Sequence, residues 1–248
     1  MKVISFSLWG NNPKYCVGAI RNAELALKIY PGWQTRFYCG SSTPASVMDE
    51  LENIGHSVFS VGTLEKDGRL SFDYGRDRSG FDTHVILYPE IGDWRGMFWR
   101  FHAAIDPSVE VMISRDCDSR LSLREKSAVD EWLASDKGFH TMHDHPYHTV
   151  PILGGMFGIK KGCVPEFGQL MSSWKMEDRW QTDQDFLNSI IWPRVQHNCS
   201  NHDSFFIHLW GGKTFPIPRT DGLFVGAVFD ENDVPVQEHL NILARHEW

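Results

Sequence analysis

The chain has 248 residues, 42% hydrophobic and 23% charged, with a formal net charge of −8. This length suits one large α/β domain, and the negative charge argues against nucleic acid or anionic membranes as partners. No stretch reaches the about 20 apolar residues of a transmembrane span, and five cysteines without a C-x-x-C pair are typical of reduced thiols in a cytoplasmic protein.

The first part of the sequence alternates between strand-like and helix-like segments. Residues 3–8 predict a buried strand, residues 15–30 an amphipathic helix, and residues 35–39 a second strand. Residues 44–53 predict a short helix that begins at a proline, and residues 57–61 a third strand. This β-α-β-α-β order predicts an α/β fold with a mostly parallel central sheet flanked by helices.

The middle of the chain contains a long polar segment and then returns to regular elements. Residues 62–93 are rich in Gly, Asp and Arg and predict a long loop. Residues 94–105 predict a helix that leads into a strand at residues 109–113. Ser122 and Glu125 have the spacing of a capping box, which predicts the start of another helix.

The second half of the chain is less regular. Its predicted elements are strands near Phe139 and at residues 156–159, helices at residues 165–174 and 183–191, and a strand-like segment, FVGAVF, at residues 224–229. No Pro-rich or Gly-rich linker divides the sequence. We therefore expect a single domain over residues 1–248.

Two carboxylates, Asp116 and Asp118, follow the predicted strand at residues 109–113, with Arg115 and Arg120 on either side. Open α/β sheets bind ligands at the carboxyl ends of their strands. Hard oxygen donors at that edge suit Mg²⁺ or Mn²⁺ with positions left for phosphate oxygens. The alternative is structural, because aspartates here could cap the next turn or pair with the two arginines.

The end of the first predicted strand offers a second group of candidate ligand contacts. Leu8, Trp9, Gly10 and Asn11 lie between this strand and Tyr15, which begins the predicted helix. An aromatic ring, a small residue and an amide suit a base and a ribose, and a helix N-terminus favours anions. The alternative is a simple turn. The G-x-G-x-x-G motif of dinucleotide-binding folds is missing from the sequence.

Four segments, in this order, carry a resemblance to a known family: SFSLWGNNPKYCVGAIRNAELA, RFHAAIDPSVEVMISRDCDSRLS, PILGGMFGIK and TDQDFLNSIIWP. They resemble the short GT-A-fold glycosyltransferases of bacteria and large DNA viruses. The D-x-D followed by Asp-Gln-x-x-Leu-Asn is similar to the glycogenin-like family. The resemblance extends roughly to Gly226 and implies a GT-A-like domain with a donor half at about residues 1–120 and a smaller acceptor half at about residues 121–248.

The resemblance implies a hexosyl- or pentosyltransferase. It would move a sugar from a nucleoside-diphosphate donor, with UDP preferred to GDP, to a glycan or other hydroxyl acceptor, with retention of configuration. Mn²⁺ or Mg²⁺ would be held by Asp118 directly and by Asp116 directly or through water. The third metal ligand would be His202, with His208 as the alternative, because SFFIHLWGGKTFP replaces the H-F-x-G-x-x-K-P-W segment of the glycogenin-like family.

Further residues are candidates for binding the donor. Arg100 and Arg219 would contact phosphate or sugar, and Arg115 would contact the donor beside the carboxylate pair, because the planar guanidinium suits phosphate. The alternative for each arginine is an ion pair. Gly154 and Gly155 would let the backbone approach the transferred sugar, or they form a bulge.

Three aspartates are candidates for catalysis. Asp183 or Asp185 would hydrogen-bond sugar hydroxyls or stabilise the oxocarbenium-like transition state. Helix capping and the helix dipole would equally explain both residues. Asp144 would act as general base if the reaction inverts configuration.

A histidine-rich segment supports a competing hypothesis. Four histidines surround Asp144 in FHTMHDHPYH, at positions His140, His143, His145 and His148. This density is typical of zinc, and zinc with an open position would indicate a metal-dependent hydrolase. The other alternative is a non-catalytic module that binds a nucleotide or a sugar.

Overall fold

The computed structural model describes residues 1–55, 57–64, 70–72, 82–220 and 222–246. Its strands, in chain order, are β1 (Lys2–Leu8), β2 (Gln34–Cys39), β3 (Ser57–Leu64), β4 (Leu70–Phe72), β5 (Thr83–Leu87), β6 (Val111–Arg115), β7 (Phe139–His143), β8 (Met156–Lys160) and β9 (Cys199–Asp203).

The α-helices of the described residues are α1 (Pro13–Ile29), α2 (Ala45–Glu52), α3 (Leu123–Leu133), α4 (Phe167–Ser173), α5 (Thr182–Phe186), α6 (Trp192–Val195), α7 (Ile207–Trp210) and α8 (Gln237–His246). Two 3-10 helices, Trp94–Ala104 and Gln196–Asn198, and a π-helical turn, Leu187–Ile191, complete this set. Among these residues, no helix has the length and apolar character needed to cross a membrane.

The described strands form one nine-stranded sheet in the order β4-β3-β5-β2-β1-β6-β8-β7-β9. The block from β3 to β6 is parallel throughout, whereas β8 runs antiparallel to both β6 and β7. The carboxyl ends of β1, β6 and β7 therefore share one edge with the amino end of β8. The predicted α/β fold with a mostly parallel sheet flanked by helices is confirmed.

Both faces of the sheet are buried, and β1 shows why. Its side chains alternate between the faces, so that Val3 packs with Phe98 and Phe101 of the long 3-10 helix. Ile4, Phe6 and Leu8 pack on the other face, against the alanines of α1 and against Trp132 of α3. Helices thus cover both sides of a parallel sheet, which is the arrangement such sheets require.

The predicted starts of two helices are close to those observed. Pro13 begins α1, and the side chain of Asn12 accepts a hydrogen bond from the amide of Lys14 at 3.1 Å. Ser122 caps α3 by accepting from the amide of Glu125, also at 3.1 Å. Both starts follow from local side-chain chemistry, which explains why sequence alone locates them.

The predicted loop at residues 62–93 is wrong in three places: residues 62–64 continue β3, Leu70–Phe72 forms β4, and Thr83–Leu87 forms β5 between β2 and β3. The short apolar run of β5 is hidden in the sequence by its Gly-, Asp- and Arg-rich surroundings. Residues 65–69 and 73–81 of the predicted loop lie outside the described residues.

The predicted strand at residues 224–229 is also not a strand. Gly226 has a φ of 85°, which interrupts an extended chain. Phe224, Ala227 and Phe229 instead pack with Leu243 of α8. Neither α8 nor β9 was predicted from the sequence.

Candidate active site

A cavity of about 600 Å³ opens where β1 and β6 end. The described residues that line it come from the end of β1, the start of α1, the turn after β6 and the long 3-10 helix. They are Ser7, Leu8, Trp9, Gly10, Asn11, Asn12, Tyr15, Asp93, Trp94, Met97, Arg100, Asp116, Cys117 and Asp178.

Sheet topology explains the position of this cavity. β1 and β6 are parallel neighbours, with Ser5 paired to Ser114, so the turns that follow them lie side by side. The predicted donor-binding group of Leu8, Trp9, Gly10, Asn11 and Tyr15 lines the cavity together with Asp116. Ligand sites in open α/β sheets occupy this edge.

Trp9 is held in place on the cavity wall. Its ring meets that of Trp99 edge-on, with ring centres 6.0 Å apart. Gly92 has a φ of 99° and lies so close to Trp9 that a Cβ would collide with the indole. Gly10, with a φ of 72°, turns the chain away from β1, and its amide donates to Ser42 Oγ at 2.8 Å. The wall is therefore preorganised by residues on four segments.

Arg100 joins the two acidic motifs. One guanidinium nitrogen donates to Asp183 Oδ2 at 2.7 Å, and the other donates to Asp116 Oδ1. The side chains of Arg100 and Asp183 are 5% and 2% exposed, whereas that of Asp116 is 47% exposed at the cavity. Although burial alone would lower it, the pKa of Arg100 is raised by these two carboxylates. Burial raises the pKa of Asp183, and Arg100 opposes that rise.

The predicted glycine pair lies behind these carboxylates rather than in the cavity lining. β8 is antiparallel to β6, with Met156 paired to Arg115, so Gly155 lies beside the turn after β6. A Cβ on Gly155 would collide with the Asp116 carboxylate, and one on Gly154 would collide with Asp183. The two glycines thus leave the space that the carboxylates of Asp116 and Asp183 occupy.

Asp118 lies next to this cluster and is paired with Lys14. The Lys14 ammonium is 2.8 Å from Asp118 Oδ2. Burial and the negative charge of Asp116 raise the pKa of Asp118, whereas Lys14 lowers it. The backbone around Asp118 is fixed by Asn22, whose buried side-chain amide donates to the carbonyls of Cys117 and Ser119 at 3.3 and 2.8 Å.

The carboxylates of Asp116 and Asp118 fit a divalent metal that takes its other ligands from water and from a bound substrate. No group of three His, Cys, Asp or Glu side chains within the described part of the chain is arranged to hold a metal ion. Mg²⁺ and Mn²⁺, however, are often held by one or two carboxylates together with water and substrate phosphates. The pKa of Asp118 is raised first by burial and then by the negative charge of Asp116, and a bound cation would favour the charged carboxylate against both. Asp116 and Asp118 therefore fit a metal bound jointly with a diphosphate.

The structure does not bring the predicted third ligand to this pair. His202 lies in β9, three strands from β6, a separation of about 14 Å. Its ring nitrogens contact His140 Nε2 at 2.9 Å and Glu131 Oε2 at 3.4 Å, and burial lowers its pKa to about 4. The alternative, His208, is exposed on α7.

Asp144 and Arg219 form a buried network away from the cavity. The carboxylate of Asp144 is fully buried and accepts from Arg124 at 2.8 Å and from Arg219 at 2.7 Å. It also accepts from Ser204 Oγ at 2.7 Å and from the amide of Val225 at 2.9 Å. These contacts tie β7 to α3, to the end of β9 and to the C-terminal segment, which is a structural arrangement.

Arg115 points into the core rather than towards the cavity. Its side chain is 2% exposed, and its Nε lies 2.8 Å from Glu125 Oε1. The hydroxyl of Tyr30 donates to the same oxygen at 2.8 Å. Arg115 thus connects β6 to α3 and α1.

Asp183 and Asp185 face different surroundings. Asp183 is buried against Arg100, whereas Asp185 is half exposed and paired with Arg179. Asp185 lines a second, smaller cavity of about 350 Å³ together with Trp174 and Glu177. Residues two apart on a helix point in nearly opposite directions, which explains the separation.

In the predicted histidine cluster, the rings of His145 and His148 lie 5.7 Å apart, but each histidine has its own hydrogen-bond partner. His143 contacts Asn201 Oδ1 at 3.0 Å, His145 contacts the carbonyl of His239 at 3.0 Å, and His148 Nδ1 accepts from the amide of Asp144. The fourth, His140, contacts His202. Among the described residues, these rings do not converge on a metal position.

Several residues that hold the site together were not among the predicted site residues. Gln184 Oε1 accepts from the amide of Gly154 at 3.3 Å. Asn188 bonds to both the amide and the carbonyl of Ile152, at 2.9 and 3.0 Å. The spacing of four residues between these amides places them on one helix face and could have indicated a shared role. Lys14 was also missed, because a lone lysine carries no motif.

No protein-family model matches this chain, and no curated protein is similar to it in sequence. Among solved structures, it is similar to a glycosyltransferase involved in glycosylation of the major capsid of PBCV-1, with a TM-score of 0.47 and 14% identity over 82% of this chain and 81% of that chain. TarS 1–349 from S. aureus gives a TM-score of 0.49 and 10% identity over 82% of this chain and 58% of that chain.

A third similar structure is the mannosyltransferase PcManGT from Pyrobaculum calidifontis in complex with GDP-Man and Mn²⁺. It gives a TM-score of 0.45 and 12% identity over 75% of this chain and 51% of that chain. The chain thus spans between half and three fifths of the second and third of these structures. All three TM-scores lie below 0.5, so the function proposed below rests on the contacts of the site itself.

Proposed function

We propose that this protein is a metal-dependent glycosyltransferase of the GT-A type, which transfers a sugar from a nucleoside-diphosphate sugar to an acceptor hydroxyl. The single observation that carries the proposal is the bridge from Arg100 to Asp116 and Asp183 beside the cavity. It joins the D-x-D and the Asp-Gln-x-x-Leu-Asn segment, the two motifs that resemble the glycogenin-like family, into one site.

The cavity supports binding of the nucleotide part of the donor. Leu8, Trp9 and Tyr15 give it apolar and aromatic surface, and Asn11 supplies an amide. A base and a ribose need this combination of stacking surface and a few polar groups. UDP is the proposed carrier, following the resemblance, and GDP is the alternative.

Asp116 and Asp118 would hold Mn²⁺ or Mg²⁺. When bound, the metal supplies Lewis-acid stabilisation of the negative charge that develops on the departing diphosphate. Arg100 fixes one oxygen of Asp116 and leaves the half-exposed carboxylate at the cavity. Gly155 leaves room for this carboxylate, so the ligand pair is positioned by backbone shape as well as by charge.

The proposed transfer retains the anomeric configuration. The bond from the anomeric carbon to the diphosphate breaks, and a bond to the acceptor oxygen forms on the same face. The acceptor proton passes to the departing phosphate oxygen, so a separate base is not needed. Asp144 is unsuited to be that base, because two arginines, a hydroxyl and an amide occupy its buried carboxylate. Of the two remaining candidates, Asp183 is the one proposed for the sugar hydroxyls, because Arg100 links it to the cavity whereas Asp185 lines a second cavity.

The alternatives predict other properties. A hydrolase built on residues 140–148 would require zinc, and the histidines of this segment are engaged in separate hydrogen bonds. A silent binding module would bind a nucleotide but would not cleave a sugar donor.

Calorimetric titration with UDP and with GDP, each with and without Mn²⁺, tests the proposal. We expect one nucleotide to bind at least about tenfold more tightly with Mn²⁺ than without it. Asp118→Ala should remove this metal-dependent gain. Asp130→Ala is the matched control, because Asp130 is an exposed carboxylate on α3 that pairs with Lys126.

Three results would contradict the proposal. One is equal nucleotide binding with and without metal, and another is an Asp118→Ala variant that behaves like the parent. The third is zinc binding that is lost in His143→Ala and His145→Ala while no nucleotide binds, which would favour the hydrolase. Release of free UDP from UDP-sugars by the parent would separate an enzyme from a silent binding module.

A further inference from the structure

Asp118 already has a cationic partner. The ammonium of Lys14 lies 2.8 Å from Asp118 Oδ2, and the two side chains are 28% and 15% exposed. Lys14 also lies over the ring of Tyr15, 4.4 Å from its centre. Lys14 is the second residue of α1, so its backbone is fixed by the cap at Asn12. The ammonium is therefore held beside the carboxylates of Asp116 and Asp118 by the start of α1 and by an aromatic ring.

This ion pair lies at the side of the cavity. Tyr15 and Cys117, the neighbours of Lys14 and Asp118 in the chain, both line the cavity, as does Asp116. Neither Lys14 nor Asp118 belongs to the described residues that do so. Asp116 thus presents its carboxylate to the cavity, whereas Asp118 is directed to Lys14. The two carboxylates of the D-x-D therefore differ in exposure and in cationic partner.

Resting on the glycosyltransferase function proposed above, we infer that Lys14 is a resident counter-ion of Asp118 and competes with a divalent metal for the charge of that carboxylate. A metal ion bound to Asp118 would lie close to the Lys14 ammonium, which is already 2.8 Å from Asp118 Oδ2, and the two positive charges repel each other. Lys14 and the metal therefore compete for Asp118.

The competition has a consequence for the order of binding. Without nucleotide, a metal ion at Asp118 is repelled by the Lys14 ammonium, which keeps its affinity low. A diphosphate brings negative charge that stabilises both the metal and Lys14. Metal and nucleotide should then bind with positive coupling, and part of that coupling comes from Lys14. If Lys14 is instead only a structural clamp between α1 and the turn after β6, removing it should leave the carboxylates less well positioned and weaken Mn²⁺ binding.

Lys14→Met tests the inference, because methionine keeps the length and apolar stem of the side chain and removes the charge. Mn²⁺ affinity is measured without nucleotide, by the electron paramagnetic resonance signal of free Mn²⁺. We expect Lys14→Met to bind Mn²⁺ about fivefold more tightly than the parent, equivalent to about 1 kcal/mol. The gain in Mn²⁺ affinity on adding UDP should shrink by a similar factor. Lys28→Met, an exposed lysine at the other end of α1, is the matched control.

Lys14→Gln serves as a second variant, and thermal unfolding of each variant identifies loss of fold. A Lys14→Met or Lys14→Gln protein that is folded and binds Mn²⁺ with the same affinity as the parent, or more weakly, overturns the inference. An equal gain in Lys28→Met would also overturn it, since it would indicate a general charge effect. A parent that binds no nucleotide with Mn²⁺ instead contradicts the proposed function, which keeps the two failures distinguishable.

Discussion

Asp183 accepts a 2.7 Å hydrogen bond from Arg100, although 83 residues separate the two in the chain. The same guanidinium reaches Asp116, so one buried arginine connects the long 3-10 helix, the turn after β6 and the start of α5. Asp183 is buried, and among the described residues Arg100 is the cation that compensates its charge. Arg100 is thus both a structural and a functional residue of the proposed site.

Arg100→Lys should lower the free energy of unfolding by about 2 kcal/mol or more, because a lysine cannot bridge both carboxylates and leaves buried Asp183 poorly paired. Urea unfolding measures this change. Arg95→Lys is the control, because Arg95 pairs with Asp93 at the exposed surface, and its effect should stay below about 0.5 kcal/mol. Equal effects of the two substitutions would contradict the bridging role.

Gly155→Ala should weaken Mn²⁺-dependent nucleotide binding about tenfold, because the added methyl group displaces the Asp116 carboxylate. Calorimetry with UDP and Mn²⁺ gives the affinity. Gly168→Ala, in which the new methyl would meet only the side chain of Ile105 on another part of the molecule, should leave the affinity unchanged. Parent-like binding by Gly155→Ala would show that Mn²⁺-dependent nucleotide binding does not depend on the present position of the Asp116 carboxylate.

Asp144→Asn should act on stability, with a loss of about 2–3 kcal/mol, because it leaves Arg124 and Arg219 without their shared carboxylate. Urea unfolding and steady-state kinetics on folded protein separate the two possible roles. The structural role predicts that kcat changes far less than stability. A large fall in kcat with unchanged stability would instead indicate that Asp144 acts as a general base.

His202 should make the protein less stable in acid. Burial lowers its pKa from 6.5 to about 4, so the folded state binds its proton less readily than the unfolded state. Its contribution to stability is therefore complete above about pH 6.5 and is lost as the pH falls towards about 4. His202→Asn should have a shallower fall in the free energy of unfolding between these pH values than the parent.

The same His202→Asn variant tests the third-ligand hypothesis. If His202 acts only within its network with His140 and Glu131, Mn²⁺-dependent UDP binding should equal that of the parent at pH 7.5. A tenfold or greater loss of metal affinity in the folded variant would show that His202 is a ligand after all.

Local sequence signals predicted much of the fold. The strand β1, the cap of α3 at Ser122, and the carboxylates after β6 were located correctly, because alternation, capping and strand ends are properties of neighbouring residues. The strand β5 was missed because its five residues lie in polar surroundings. The segment at residues 224–229 was misread because its apolar residues pack on α8, which sequence periodicity alone did not reveal.

The sequence by itself determined the fold class and the chemical types at the site, a pair of carboxylates after a buried strand and an aromatic turn after another. Only the tertiary structure decided which partners these groups have. Asp183 pairs with Arg100 and Asp185 with Arg179. Arg115 pairs with Glu125 in the core, and the Asp144 carboxylate pairs with Arg124 and Arg219. Such choices depend on contacts between residues far apart in the chain. Strand order and packing set those contacts, and local patterns do not encode them.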